Sequence, residues 1–325
     1  MPLHPARIAG STVMVTGGCG FIGSHLVRRL LALDARRVVV VDSLRYGDRA
    51  NLSQVPAIEI VQHTLGTDSA DTLEEKMRGV DYLFHLAAEK HNQSKDDPLR
   101  ILRANIDGSY TLFDVAARCG VRKIVFSSSL YAYGRMHGLP FREDEMPQPQ
   151  TVYGISKLCG EHLLRNVNAV HGTAYNILRY FFVYGPRQFA GMGYKSVIVK
   201  NFERLLDGAP TTIYGDGTQK LDYVFVDDAV EAALQALATD ISGEVFNIGS
   251  GEPTSVNDLI DHMLAIAGSN LSKQHEPPDW TAGSCRVGDV SKARERLGWE
   301  PRVSLADGLT RTFAWLVEAR RAVQR

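Results

Sequence analysis

The sequence predicts an α/β fold: a doubly wound parallel sheet carrying a second, smaller α/β lobe. Three observations point there. Short β-branched runs alternate with longer amphipathic stretches through the first half. A glycine-rich turn joins the first strand to the first helix. After about Phe181 the elements shorten, and Gly, Pro and Tyr cluster. Strands separated by helices pair in parallel, because each crossover needs a helix to bring the chain back, and the sheet is then covered on both faces.

The elements follow in order. Residues 13–16, 37–41, 58–62, 82–86, 123–127 and 175–180 are apolar, β-branched runs of strand length. Between them 20–33, 72–78, 99–119 and 152–171 have helical spacing and few breakers. In the second half, helices are expected at 195–206, 226–237, 256–267 and 305–319, with a strand at 245–248. Residues 1–180 form the dinucleotide-binding unit on this reading. Residues 181–325 form mainly the substrate lobe, with about 225–250 returning to the first unit.

Composition narrows the function. The chain has 325 residues, 44% hydrophobic and 22% charged, with 36 Lys plus Arg against 37 Asp plus Glu and a net charge of −1. That balance lacks the basic footprint of a nucleic-acid binder. No apolar run reaches the ~20 residues that cross a bilayer, so no membrane partner is expected. The start, Met1-Pro2-Leu3-His4-Pro5-Ala6-Arg7, lacks a secretory pattern. Cys19, Cys119, Cys159 and Cys285 are scattered, with no C-x-x-C pair and no metal-ligand grouping with histidine, so no metal is expected. A reduced, cytoplasmic setting is the default.

The strongest local signal is Thr16-Gly17-Gly18-Cys19-Gly20-Phe21-Ile22-Gly23 between the first strand and first helix. Gly17 permits the tight turn, Gly20 lets the backbone approach a diphosphate, and Gly23 lets the helix sit close to the sheet. The amides at the helix start then face the anion, the arrangement of a Rossmann dinucleotide site. Asp42 ends the second strand nineteen residues beyond Gly23, where a carboxylate accepts hydrogen bonds from the adenosine ribose and repels a 2′-phosphate. NAD is favoured; Arg45, able to recruit that phosphate, keeps NADP as the alternative.

Tyr153 and Lys157 lie four apart in a predicted helix, hence on one face. A nearby ammonium favours the phenolate, which makes Tyr153 a candidate general base. Chance spacing on a helix is the bland alternative. Ser127-Ser128-Ser129 follows the fifth strand at the carboxyl edge of the sheet, where ligands bind in open α/β folds. Ser129 is then placed to align a substrate hydroxyl with Tyr153, unless it serves only as a helix cap.

With these pieces the chain resembles the extended short-chain dehydrogenase/reductases, specifically the NAD-dependent nucleotide-sugar epimerase/dehydratase group. The resemblance runs nearly end to end. It includes His85-Leu86-Ala87-Ala88, Asn105-Ile106-Asp107-Gly108, Val125-Phe126-Ser127-Ser128-Ser129, Arg179-Tyr180-Phe181, Val183-Tyr184-Gly185-Pro186-Arg187, Ile213-Tyr214-Gly215-Asp216-Gly217, Val226-Asp227-Asp228, Phe246-Asn247-Ile248-Gly249 and Leu297-Gly298-Trp299. It implies NAD on Gly17, Gly20, Phe21, Ile22, Gly23, Asp42, Leu86, Ala87, Ala88, Ser127, Tyr153, Lys157 and Val183. It implies catalysis by Ser129, Tyr153 and Lys157. Tyr153 would deprotonate a sugar hydroxyl while hydride passes to the nicotinamide, and Lys157 would bind the nicotinamide ribose and lower the Tyr153 pKa. The partner implied is a nucleoside-diphosphate sugar.

Subclass residues lean toward C4 epimerisation through a transient keto sugar. Where dehydratases resemble Thr-Asp-Glu, this chain has Ser129-Leu130-Tyr131, and neither Leu130 nor Tyr131 supplies a carboxylate. Ala88-Glu89-Lys90-His91 leans the other way, being similar to the dehydratases' Ala-Glu-Ser-His; Glu89 and His91 either touch the sugar or are polar loop residues. Phe182 stands where the family has asparagine, Leu221 where it has arginine, and R-P-G-D is not recognisable around Pro277-Pro278-Asp279-Trp280. The acidic-then-aliphatic adenine contact is blurred at Leu65-Gly66-Thr67-Asp68. Lys195, Lys220 or Arg286 are the candidate replacement cations. Trp280, Trp299 and Trp315 read as packing residues. Helices 99–119 and 152–171 pair with their copies in a homodimer, as the family commonly does, or pack in the monomer core. The competing functions are a nucleotide-sugar oxidoreductase or dehydratase-like enzyme on the same fold, and a catalytically silent NAD-sensing protein.

Overall fold

The computed structural model describes residues 7–55, 58–91, 93–134, 138–188, 195–279 and 281–323. The expected packing role of Trp280 and the reading of Met1 to Ala6 lie outside the described residues. The first half runs β1 (Thr12–Thr16), α1 (Phe21–Ala32), β2 (Arg37–Asp42), β3 (Ile58–Gln62), α2 (Ala70–Met77), β4 (Tyr82–His85), α3 (Gln93–Asp96), α4 (Pro98–Leu102), α5 (Gly108–Arg118), β5 (Lys123–Ser129), α6 (Val152–His171) and β6 (Ala174–Tyr180). The second half runs β7 (Phe182–Tyr184), α7 (Val197–Leu206), β8 (Thr211–Tyr214), β9 (Lys220–Phe225), α8 (Val226–Ala238), β10 (Glu244–Ile248), β11 (Pro253–Ser255), α9 (Val256–Ile266), β12 (Lys273–Glu276), β13 (Cys285–Arg286) and α10 (Leu305–Val323).

Seven parallel strands form the main sheet in the order β3-β2-β1-β4-β5-β6-β10, the doubly wound arrangement expected. Successive side chains of a strand face opposite ways, and the core divides accordingly. Val13, Val15, Val38, Val40 and Phe84 pack on one side of the sheet with α1 and α8. Met14, Val39, Val41, Leu83 and Phe126 pack on the other with α2 and α5. Being buried on both faces is why these strands read as unbroken apolar runs. In the second half β9 pairs with β7, β11 and β13, and β8 pairs with β12. No helix among the described residues is long and apolar enough to cross a membrane.

Two elements differ in detail from the sequence reading. The helix expected over 99–119 is present without a break over 98–118, but a π-helical turn at Arg103–Asp107 joins α4, capped by Asp97, to α5. The turn aims Asn105 inward, where its side chain accepts from the Glu89 amide (2.8 Å) and donates to Ser156 Oγ (3.1 Å). Such wide turns recur where a helix must redirect one side chain. The fifth strand also runs two residues further than expected, so the three serines are strand residues. Ser127 and Ser129 share one face, and Ser128 points to the other and donates to Glu161 (2.5 Å).

Candidate active site

The strand order reverses between β1 and β4, and a cavity of about 290 Å3 opens there. Gly17 has φ +72, and a Cβ on it would lie 2.9 Å from the Ala87 amide nitrogen on the neighbouring strand end. A Cβ on Gly23 would lie 2.1 Å from the Gly17 carbonyl oxygen. Gly20 caps α1 without any side-chain hydrogen bond, which leaves amides of the first turn for a ligand. Gly17, Gly20, Phe21, Ile22, Gly23, Asp42, Leu86, Ala87, Ala88, Glu89, Ser127, Tyr153 and Lys157 all line this cavity.

Asp42 is buried at the tip of β2, its carboxylate accepting from the amides of Cys19 (3.0 Å) and Leu44 (2.8 Å). Burial pushes its carboxyl above the usual range, and those two amides pull it back. Gly47 closes over it, since a Cβ there would meet Oδ1 at 2.8 Å. Arg45 turns away from this carboxylate: its Nε donates to Tyr46 Oη (3.1 Å) and lies 3.7 Å from Glu89. The glycine clearances, the open helix start and the buried carboxylate fit NAD. Replacing Gly23 with Ala forces its methyl onto backbone rather than onto a movable side chain, so NAD retention is expected to fall at least about tenfold, with ~1–3 kcal/mol lost from overpacking. Dinucleotide titration and thermal melting of the variant check both.

At the other end of the cavity stand Ser127, Tyr153 and Lys157. The Lys157 Nζ donates to the Ser127 carbonyl (2.8 Å) and lies 5.8 Å from the Tyr153 ring centre. Ser129 stands close enough to the Tyr153 phenol to act on its pKa, and its hydroxyl caps the following turn by accepting from the Tyr131 amide (3.3 Å). Burial pushes the phenol up to about 12, and the Ser129 hydroxyl is what lowers it. Burial likewise pulls Lys157 down to about 7, opposed by the Glu161 charge. The ammonium donates to a backbone carbonyl in this arrangement.

That depressed lysine has a consequence for stability. From pH 7 to 10 the unfolded chain binds this proton and the folded chain does not, so stability rises with pH by up to about 1.4 kcal/mol per unit. Below pH 7 both states are protonated and the cost of the buried charge is present in full. Lys90 and Lys123, both drawn down to about 8, titrate nearby. The comparison is therefore with Lys157→Met, whose denaturant stability is expected to gain less between pH 7 and 10 than that of the parent chain.

A second cavity, of about 680 Å3, adjoins the first and is lined by Ser129, Leu130, Tyr131, Phe182, Val183, Lys195 and Leu221. Val183, expected at the cofactor, lines this second cavity, and its strand β7 pairs with β9 and not with the main sheet. Lys195 reaches this cavity already paired with Glu203 (2.6 Å). Lys220, the other lysine expected at the substrate, is exposed and is not among the residues lining this cavity. Glu89 lies on the dinucleotide side, accepting from Tyr46 Oη (3.0 Å). His91 stacks on Tyr131 with centres 4.0 Å apart and meets Tyr153 edge-on at 5.9 Å. Burial, with Arg286 and Lys95 adding to it, lowers its pKa to about 4, so the ring is neutral. Asp68 is turned to its own loop, accepting from the Thr64 amide (2.8 Å).

Three residues around the site, Glu161, Arg179 and Asp222, were not assigned a role from spacing. Glu161 and Arg179 form a buried bidentate pair (2.9 and 2.7 Å) behind Lys157. Asp222 accepts from Ser250, Gly251 and Gly288 and so ties β9 to two turns of the second half. Arg286, 5.7 Å from the Tyr131 ring centre, belongs to Arg286-Val287-Gly288-Asp289, one residue away from R-P-G-D. That variant was legible in the sequence, further along than Pro277–Trp280.

The model of the NAD-dependent epimerase/dehydratase family matches residues 13–249. The UDP-glucose 4-epimerase of Mycolicibacterium smegmatis is 35% identical over 92% of this chain and 96% of its own. Among solved structures, the UDP-glucose 4-epimerase of Thermotoga maritima, with UDP-glucose, superposes with a TM-score of 0.89 at 37% identity, covering 95% of this chain and 99% of that one. The dTDP-glucose 4,6-dehydratase DesIV of Streptomyces venezuelae, solved with NAD bound, gives 0.87 at 33% identity, covering 96% and 98%. On sequence, fold and the geometry of the glycine turn together, this chain belongs to the NAD-dependent epimerase/dehydratase family.

Proposed function

We propose that the protein is an NAD-dependent nucleotide-sugar epimerase acting at C4 through a transient keto sugar. The observation that carries this is the juxtaposition of Ser129 and Tyr153, set where the glycine-lined cavity meets the larger one, with Leu130 and Tyr131 beside them instead of carboxylates. We assign NAD to Gly17, Gly20, Phe21, Ile22, Gly23, Asp42, Leu86, Ala87, Ala88, Ser127, Tyr153 and Lys157, and the sugar nucleotide to the second cavity. When bound, NAD supplies a reversible two-electron acceptor and, oxidised, a positive charge in the cavity that Tyr153 lines. Ser129 holds the reacting hydroxyl against Tyr153. Tyr153 takes the hydroxyl proton as the carbon is oxidised and returns it as the carbon is reduced on its opposite face. Lys157 orients the ribose next to Ser127. In domain terms, residues 1–180 with about 225–250 hold the cofactor and the rest of 181–325 shapes the sugar site.

Similarity to a dehydratase favours one alternative, elimination after oxidation. Against it, Glu89 is held on the dinucleotide side by Tyr46, and positions 130 and 131 offer no carboxylate. Incubating the protein with UDP, GDP, CDP and dTDP sugars separates the readings. A C4 epimer with no net NADH is expected; accumulated keto sugar or NADH would replace the proposal with the alternative. We further propose a cytoplasmic homodimer, supported by four free cysteines and by exposed apolar residues Leu99, Leu102, Tyr110 and Ile155 on α4, α5 and α6. Sedimentation at the monomer mass would refute the dimer.

A further inference from the structure

Away from both cavities, α1 and α8 leave a groove of about 360 Å3 on the surface of the main sheet's helical layer. His25, Arg28, Arg29 and Ala32 line it from α1, at helical spacing, and Asp227, Val230 and Glu231 line it from α8. Arg187 enters from the loop after β7. Most of these charges are matched. His25 lies 3.4 Å from Asp227, Arg311 also pairs with Asp227, and Arg29 lies 3.6 Å from Glu231.

Arg28 and Arg187 are the exceptions. Among the described residues, neither guanidinium has a carboxylate within ion-pair distance. Arg28 spends one nitrogen on the carbonyls of Asn51 (2.9 Å) and Ser53 (3.1 Å), while its buried Nε has no hydrogen-bond partner. Arg187 gives its Nε to Ser24 Oγ (3.2 Å), and its backbone is held at φ +63, a conformation a non-glycine residue keeps only where the surroundings impose it. The His25 ring bonded to the Pro186 carbonyl (2.9 Å) pins that loop to α1. Burial and the Arg28 charge both disfavour the Arg187 cation, with Asp227 opposing. Two half-buried guanidinium groups sharing one concave surface repel each other unless an anion lies between them. Their planar donor forks match a tetrahedral oxyanion.

We propose that the groove between α1 and α8 is an oxyanion site of the phosphate class, with Arg28 and Arg187 as its ligands. It is separate from the dinucleotide and sugar cavities and does not depend on the proposed activity. β7 and the loop after it, which carries Arg187, also line the second cavity through Val183, Tyr184 and Gln188, so the site is placed to steady that wall.

The test uses the NAD-loaded protein, so that the dinucleotide cavity is filled. Inorganic phosphate is expected to raise the melting temperature by roughly 2–5 °C over sodium chloride at equal ionic strength, saturably. Calorimetric titration is expected to give one phosphate per chain. Arg28→Gln should weaken phosphate at least about tenfold and remove the increment while leaving NAD bound. If Arg28→Gln does not fold, Arg187→Gln is read the same way. An increment that survives the substitution, which would come from another cavity, or no increment over chloride in the parent chain, would overturn the proposal.

Discussion

Tyr153→Phe is expected to lower turnover by roughly 10^3-fold while leaving NAD binding and melting temperature nearly unchanged. General acid–base groups typically contribute two to four orders of magnitude, and the phenol oxygen is the atom removed. The ring itself remains, so its edge-on contacts with Tyr131 and His91, at 5.7 and 5.9 Å, persist. What is lost is the hydroxyl beside Ser129 and the proton that passes between the sugar and the protein. Single-turnover assays and dinucleotide titration separate chemistry from binding. Burial pushes the phenol up to about 12 and the neighbouring Ser129 hydroxyl lowers it, so loss of Ser129 is expected to weaken the same chemistry. Full activity in Tyr153→Phe would remove Tyr153 from the mechanism.

The largest loss of stability is expected from Glu161→Gln, at about 3–5 kcal/mol, because it strands a buried guanidinium. Arg179 is 2% exposed and Glu161 fully buried, and the carboxylate accepts from Arg179 twice and from Ser128 once. Arg179 also lies 4.5 Å from the centre of the Tyr133 ring, whose hydroxyl donates to Asn247 on the edge strand β10 (2.6 Å). The pair therefore joins α6, β5, β6 and β10 behind the site. A melting temperature lower by on the order of 10 °C is the expected readout. Replacing both partners with apolar residues, Glu161→Leu with Arg179→Met, should recover most of it, since no charge is then stranded. Either substitution also removes the carboxylate that opposes the depression of Lys157, so activity is expected to fall even where folding is restored.

Legibility in the sequence followed the range of the interactions. The helix at Val152–His171 and the strand at Ile58–Gln62 were bounded to the residue, because Thr151 and Gly172 cap the first and apolar pattern marks the second. The Thr16–Gly23 turn and its acidic partner Asp42 were legible for a related reason: the backbone conformations and clearances of a dinucleotide cradle admit few residue types. Tyr153 and Lys157 were legible as neighbours on one helical face. The helix over 99–119 was legible, but its π-turn was not, because that turn serves Asn105, whose partners Glu89 and Ser156 come from other elements.

The sequence by itself determined the fold class, the order of the parallel strands' building blocks, the glycine turn and the family, since all of these rest on local periodicity, backbone geometry and motif order. Only the tertiary structure decided that Val183 lines the second cavity, that Lys220 is on the surface, that Lys157 is tied to the Ser127 carbonyl, and that Arg28 and Arg187 share a groove. The physical reason is that charge and burial act through space. A lysine's pKa or an arginine's lack of a partner depends on what distant segments bring within a few ångströms, and spacing along the chain does not encode that distance.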